Sequence, residues 1–495
     1  MHRETKVLVI GTGFSGLGMA VELRRRGEHD FVVLEKAADL GGTWRDNSYP
    51  GCACDVPSHM YSFSFELNPK WSRMFARQGE IFDYLQRVAD KYRLRPHIRF
   101  NTKVSGARWD DEAKRWHVTT EQGDTYTATA LVAGVGALHI PNVPELPGIE
   151  NFTGRTFHSA QWDHDYDLTG KRVAVVGTGA SAIQFVPKIA DRVGSMKIFQ
   201  RTPPWIMPKA DREITEREQR LFRALPFTQR LYRNFVYWVR ESSALGFAVN
   251  PKIMQFAQGI ALRHMKKQVP DPKLREKLKP GYTMGCKRVL ISNDYYPALS
   301  RPNVDLVTDK ISEVREKSIV DSAGVEHEVD VIIYGTGFHV VDSFDYLDIQ
   351  GKGGVDLAKQ WREKGIETYY GITVSGFPNL FFLLGPNTGL GHNSVVFMIE
   401  SQIRYIAQCL RLLETHRAAE LDVRLEAQQE FNSELQGKLT KGVWTQGGCQ
   451  SWYLDAQGVN RTVWPGFTWR YWMRTKRVRA EDYVLTTAPR VKASR

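Results

Sequence analysis

Residues 6–27, KVLVIGTGFSGLGMAVELRRRG, pass from an unbroken apolar run through three glycines into a segment with helical spacing. Val7–Ile10 predicts a strand covered on both faces, and Met19, Ala20 and Leu23 mark the inner face of the helix that follows. Between them, Gly11, Gly13 and Gly16 form GxGxxG in the context that gives the motif its meaning. The first glycine permits the turn, the second lets backbone approach a pyrophosphate, and the third lets helix and strand pack closely. Phe14 and Ser15 open the helix, whose N-terminus would face the phosphates. A second strand pattern, FVVLEK at 31–36, ends in Glu35, the acid expected to hold an adenosine ribose.

The pattern recurs. Residues 171–190, KRVAVVGTGASAIQFVPKIA, place Gly177 and Gly179 after an apolar strand, line the turn with Ala180 and Ser181, and put Ala182 where the third glycine would stand. Here the second strand, MKIFQR, ends in Arg201-Thr202 rather than an acid, and a guanidinium suits a ribose 2′-phosphate. One unit with an acid and one with an arginine imply FAD beside NADPH, with hydride passing between them. The expected class is therefore α/β: two Rossmann-like dinucleotide-binding domains, the NADP domain inserted in the FAD domain. DVIIYGTGF at 330–338 is the strand at which the chain is expected to cross back to the first domain. FFLLGPNTGLGHNSVVFMIESQIRYIAQCLRLL, 381–413, predicts a strand, a glycine-rich loop and a long helix starting near Asn393 or Ser394. The N-terminus of that helix is placed to stabilise negative charge on reduced flavin.

Composition supports an ordered chain of more than one core: 495 residues, 42% hydrophobic and 25% charged, with no long Pro, Gly or Ser tract. Apolar runs such as FFLL fall far short of the ~20 residues of a membrane span. The start, MHRETK running into VLVIG, leaves no room for a signal peptide, so a cytoplasmic protein is expected. Five cysteines without paired spacing argue against a disulfide framework, and Cys52 and Cys54 lack partners at zinc-site spacing, so no metal is expected. The net charge of +12 is not organised into a nucleic-acid motif. The tail WRYWMRTKRVR, 469–479, leaves weak peripheral contact with a membrane or polyanion open.

Two further stretches select the chemistry. FTGRTFHSAQWD, 152–163, carries Phe152, Gly154, His158, Trp162 and Asp163 in the order FxGxxxHxxxW followed by Asp. GGTWRDNSYPGCACD, 41–55, carries Gly41, Gly42, Thr43, Trp44, Tyr49, Pro50, Gly51 and Asp55. Both resemble signatures of the Baeyer–Villiger monooxygenases, and the likeness extends through KRVLISNDYYPAL from Lys287 and CQSWYLDAQGVNRTVWPGF from Cys449. The resemblance implies an enzyme in which NADPH reduces FAD, oxygen adds to the flavin, and the deprotonated peroxide attacks a ketone to yield an ester or lactone, with sulfoxidation as a related activity. It assigns Arg288 to stabilising that peroxide, Asp55 to positioning Arg288, and Lys287 to the 2′-phosphate beside Arg201. It puts the fingerprint on the linker between the two domains, with His158 in a structural role.

The resemblance also implies domain limits: 1–145 for the first part of the FAD domain, and 146–209 for the first part of the NADP domain. A mainly helical insertion follows at 210–285, then the second NADP part at 286–345, and 346–495 for the second FAD part with a segment beside the substrate. Departures are small, YGTG standing where many relatives have ATG. Trp452, Tyr453 and Trp464 are open to lining an apolar pocket or serving as core. A flavin-dependent N- or S-monooxygenase is the alternative, distinguished by ester formation from a ketone; a non-catalytic flavin sensor is disfavoured because no partner-binding module is left over. No nucleic acid and no integral membrane contact are expected, and the protein is expected as a monomer or homodimer.

Overall fold

The computed structural model describes residues 2–340, 348–455 and 457–487. Strand β1 (His2–Ile10) leads into helix α1 (Phe14–Arg25) and strand β2 (Phe31–Leu34), and strand β3 (Thr125–Ala133) returns to lie on the other side of β1. Both pairings of β1 are parallel, Leu8 standing opposite Val32 on one side and Leu131 on the other. Val7 to Ile10 are all buried, as a strand covered on both faces requires. At Gly16 an added Cβ would lie 1.8 Å from the Gly11 carbonyl oxygen, so helix and turn approach as closely as only glycine allows.

The same sheet, eight strands in all, takes in Asp348–Gln350 and Leu380–Phe382 from far along the chain, the latter parallel to β3. A second sheet is formed in between. It contains β4 (Arg155–His158), β5 (Arg172–Val176), then helix α2 (Ala182–Ile189) and strand β6 (Ser195–Phe199). After β6 a short parallel pair, Ile206–Met207 with Leu290–Ile291, marks where an excursion leaves and returns. That excursion is helical, with Glu216–Ala224, α3 (Pro226–Glu241), Met254–Gln268 and Pro272–Leu278. Val304–Val307 and β7 (Val331–Tyr334) complete the five-stranded sheet, whose pairings are all parallel. Gly177 repeats the first turn: its φ is +103°, and a Cβ there would sit 2.6 Å from the Gly335 carbonyl oxygen. An inserted parallel unit with a helical insertion of its own is thus the observed architecture.

Three readings, of the DVIIYGTGF strand, the fingerprint and the cysteines, need amending. The strand in DVIIYGTGF is an inner strand of the second sheet, between β5 and β4, so the crossing back comes after it. The expected boundary between residues 345 and 346 lies outside the described residues. Part of the fingerprint is not a free linker: β4 is an edge strand of the second sheet, His158 opposite Tyr334. The reading of the cysteines is corrected more sharply, because Cys286 and Cys449, 163 residues apart, are joined by a disulfide. Their sequence neighbourhoods hold no sign of each other; only the fold brings them together. Cys52, Cys54 and Cys409 are free and buried.

Toward the C-terminus, Ser394 caps α4 (Val395–Thr415), its hydroxyl accepting the Val396 N–H at 3.3 Å, as the sequence predicted. Helix α5 (Thr468–Thr475) packs against α4. No helix among the described residues is long and apolar enough to cross a membrane.

Candidate active site

At the first turn, the N-terminus of α1 carries no side-chain cap and no acid in its first turn, which leaves its N–H groups for an anion. A Cβ added at Gly42 would lie 3.1 Å from Gly13 Cα, so the two glycine turns pack backbone to backbone, and the N-terminus of α1 stands at their edge. Glu35 closes the far side, buried at the end of β2. Its Oε2 accepts the Thr12 N–H at 3.0 Å and the Thr12 hydroxyl at 2.5 Å, and its Oε1 accepts Ala37 N–H and Arg45 Nη1, both at 3.0 Å. Phe14 points into the core, ring to ring with Tyr61 and Phe63, and Ser15 is buried beneath the turn. Thr43 and Trp44 lie on a short helix, Thr43–Asp46, with the Trp44 indole donating to Tyr61 Oη at 3.2 Å.

At the second turn, Gly179, Ala180 and Ser181 precede α2, again with no side-chain cap. Arg201 and Lys287 take part in no ion pair among the described residues, and Lys287 Nζ lies 5.3 Å from the centre of the Tyr282 ring. Burial lowers the Lys287 pKa, and the neighbouring Arg201 charge lowers it further. Two cations that repel each other, with no carboxylate paired to either among the described residues, leave a local excess of positive charge. Thr202 is half-buried beside them.

The two units meet at residues 49–55. Gln184 of α2 accepts from the Tyr49 hydroxyl at 3.0 Å and the Ala53 N–H at 3.2 Å, and returns a bond to the Ala53 carbonyl at 3.0 Å. This grips the loop that ends in Asp55. Arg288, 233 residues further on, donates to Asp55 from Nε at 3.0 Å and from Nη2 at 2.8 and 2.6 Å. The two side chains keep 35% and 26% of their surface exposed, so the pair faces a cleft. Asp55's negative charge raises the Arg288 pKa, which keeps the guanidinium charged at any working pH. Burial pushes the Asp55 pKa up, but Arg288, and more weakly Arg240, reverse this and hold it below the usual carboxylate range. The buried Tyr453 hydroxyl is pushed up to about 12 by desolvation, against the pull of the Arg288 charge.

Sequence reasoning missed two cations of this site. Arg240, on α3, loses basicity to burial and feels both Asp55 and Arg288; its buried Nε has no hydrogen-bond partner. Lys209 stands 5.1 Å from the Phe75 ring centre, its pKa lowered by burial while Asp211, Cys54 and Asp55 pull the other way. Neither lies in a motif. The aromatic residues divide: Tyr453 is beside Arg288, Trp464 is core against Tyr471, and Trp452 is exposed.

The fingerprint residues do not converge on this cleft. Phe152 packs against the second sheet's smaller core, and a Cβ at Gly154 would lie 2.4 Å from the Asp330 carbonyl oxygen. His158 is buried, accepts the Ala160 N–H at Nδ1 at 3.1 Å, and is held neutral by burial against the opposing effect of the Gly337 backbone. Trp162 wedges between Phe157 and Phe185, and Asp163 accepts from Arg155 at 2.7 Å. These contacts pin the edge strand and the turn after it to α2, a structural role. No cluster of metal-ligating side chains occurs among the described residues.

Residues 4–352 match the family model described as flavin-binding monooxygenase-like. A Baeyer–Villiger monooxygenase of Pseudomonas aeruginosa is 54% identical over 98% of this chain and 92% of its own length. Another from Streptomyces coelicolor is 51% identical over 99% of this chain and 94% of its own. Among solved structures, an oxidised steroid monooxygenase bound to NADP superposes with a TM-score of 0.88 at 30% identity, covering 98% of this chain and 99% of that one. A closed cyclohexanone monooxygenase gives 0.88 at 28% identity, covering 99% and 100%. Agreement of this extent in sequence and in backbone places the chain in the flavin-binding monooxygenase-like family and, within it, among the Baeyer–Villiger monooxygenases.

Proposed function

We propose that the protein holds FAD at the first glycine turn and NADPH at the second, and with O2 converts ketones to esters or lactones, oxidising sulfides as a side activity. The assigned units are 1–145 with 346–495 for FAD and 146–209 with 286–345 for NADP, 210–285 being the helical insertion. The observation that carries the proposal is the Arg288–Asp55 pair, held where the two units meet.

FAD and NADPH, when bound, supply the electrons and the centre at which oxygen is activated; everything else falls to the chain. Gly11, Gly13 and the N–H groups of α1 receive a pyrophosphate, with Gly42, Thr43, Trp44 and Tyr49 along the opposite wall. Glu35 receives a ribose hydroxyl, and the donor that yields is the Thr12 hydroxyl, the one freely rotating group of its four partners. Gly177, Gly179, Ala180 and Ser181 serve the second pyrophosphate, and Arg201, Thr202 and Lys287 the 2′-phosphate. Arg288 offers a permanent charge and planar donors to negative charge developing on oxygen, which a lysine point charge would match poorly. Asp55 fixes the orientation of that guanidinium by three contacts. Arg240 adds a second positive charge from the insertion side, and the buried Tyr453 lies within the electrostatic reach of Arg288. A cytoplasmic location fits the demand for NADPH, although a disulfide is uncommon there.

The deciding experiment supplies NADPH and labelled oxygen gas to the purified FAD-loaded protein over a panel of cyclic, aryl and linear ketones. One labelled oxygen atom should appear in an ester or lactone by mass spectrometry. NADPH oxidation that yields only N- or S-oxides from suitable substrates, and never an ester, would refute the reading.

Coenzyme choice is a separate prediction. Each charge-assisted contact to the 2′-phosphate should contribute ~1.5–3 kcal/mol, so Arg201→Ala should cut the NADPH-to-NADH ratio of kcat/KM roughly 10- to 150-fold. Equal use of NADH by the unaltered enzyme would contradict the assignment.

A further inference from the structure

Helix α3 is inside out. Its buried side carries Gln229, Arg233 and Glu241 along with Val236, while Phe227, Leu231, Phe235 and Trp238 are 57%, 62%, 64% and 59% exposed. Those four follow one stripe, at steps of four, four and three residues. The helix cannot roll to hide them, because its polar side is tied down. Gln229 donates to the Asn68 carbonyl at 2.7 Å, Arg233 to the His59 carbonyl, and Glu241 accepts from Thr468. Exposed apolar residues continue along the chain to Val249 and Phe256, so that among the described residues eleven of the nineteen exposed large apolar residues fall in the 36 positions 221–256. Clustering of that degree marks an interaction surface, since scattered exposed apolar residues are ordinary.

The rim says what covers it. From Gln219 to Val269 the chain has nine Arg and Lys but a single acid, Glu241, which is buried. On α3 and the helix packed against it, Arg220, Arg223 and Arg230 are exposed, and the two acids of the preceding turn, Glu216 and Glu218, already face Arg220 and Arg212. A second copy of this face would set cation against cation, which disfavours self-association. Helix α5 joins the surface: the Tyr237 hydroxyl and Thr468 Oγ1 lie 3.0 Å apart, and α5 adds exposed Met473 and Arg470. We infer that this face is a peripheral docking surface for an anionic lipid bilayer, with the α3 stripe entering the headgroup and acyl boundary and the cationic rim resting on lipid phosphates. The insertion helix that meets the lipid also ends at Arg240 in the cleft, so docking would bring the active site next to the phase in which apolar ketones collect.

The test uses full-length FAD-loaded protein and vesicles of phosphatidylcholine with or without a minor fraction of phosphatidylglycerol, separated by flotation. Binding to the anionic vesicles should exceed binding to the neutral ones by at least roughly tenfold and weaken at high salt. Phe235→Ser with Trp238→Ser should lower it at least tenfold while flavin content and thermal midpoint stay unchanged, as both side chains are exposed. Arg220→Glu with Arg223→Glu should lower it as well. Absence of flotation with anionic vesicles overturns the inference. So does light scattering that finds a dimer which the Ser pair dissociates, since the face would then belong to a second copy.

Discussion

Replacing Arg288 by alanine is expected to stop ester formation while leaving NADPH oxidation running. The guanidinium is needed when negative charge develops on oxygen in a cleft that is partly dehydrated, where a fixed positive charge acts more strongly than it would in water. Removing one preorganised electrostatic group of this kind costs ~10²- to 10³-fold in turnover. The alanine enzyme should therefore lose at least about 10²-fold in ester production, with its NADPH consumption diverted to hydrogen peroxide. Anaerobic stopped-flow should still show the flavin bleached by NADPH, with a smaller loss of rate than ester formation suffers. Arg288→Lys should recover little, for a point charge cannot reproduce three contacts to Asp55 and still present donors in a plane. Asp55→Ala should show the same uncoupling in milder form, since it frees the guanidinium without removing it. Ester formation at near the original rate in Arg288→Ala would mean that another cation holds the charge, and Arg240 would be the first to examine.

The parts of this site differ in how readily the sequence discloses them, and the difference is one of distance along the chain. The glycine turns with Glu35 and with Arg201 are legible because each nucleotide unit is closed within about 30 residues, so its steric and electrostatic demands appear as local spacing. Asp55 and Arg288 are 233 residues apart, and only the likeness to a known family joined them before the structure did. Cys286 and Cys449 had no such help, and the odd cysteine count pointed the wrong way. Arg240 was hidden for another reason. Periodicity assigns the apolar stripe of a helix to the core, and in α3 that stripe faces outward while the polar side is buried. A pattern that identifies the helix thus orients it backwards, and the arginine at its inner end reads as a surface charge. The fingerprint was recognisable and His158 was read as structural, but its placement was not legible: β4 and Trp162 pack the edge of the second sheet, a tertiary fact with no signature in spacing.

Glu241 is expected to be the residue whose loss most weakens the region around the cleft. It is a carboxylate buried at the end of α3, and four N–H and O–H donors point at it. Asn393 Nδ2 lies 2.7 Å and the Thr468 hydroxyl 2.8 Å from Oε2, the Thr468 and Trp469 N–H groups point at Oε1, and His392 Nε2 stands 3.6 Å away. One side chain thus ties the insertion to the loop before α4 and to the first turn of α5. Glu241→Ala leaves those donors buried with no acceptor, a loss of about 3–5 kcal/mol by analogy with breaking a buried charged pair. Glu241→Gln keeps one oxygen for the two backbone N–H groups and should lose less than half as much. The pH dependence has a definite sign. Burial would raise the Glu241 pKa, but His392, Asn393 and Thr468 lower it below the ordinary 4.5. A depressed folded pKa contributes stability that is fully present above the unfolded value and is lost as pH falls through the folded one. The gap between Glu241→Ala and the unaltered protein should therefore be widest near neutrality and close on acidification below about 4.5. Urea midpoints followed by flavin fluorescence across that range would measure it. A gap that stays constant or grows at low pH would show that Glu241 is not ionised in the fold. Because Arg240 is the adjacent residue, Glu241→Ala should also send more NADPH to hydrogen peroxide, and coupling that remains intact in a destabilised protein would separate the clamp from the chemistry.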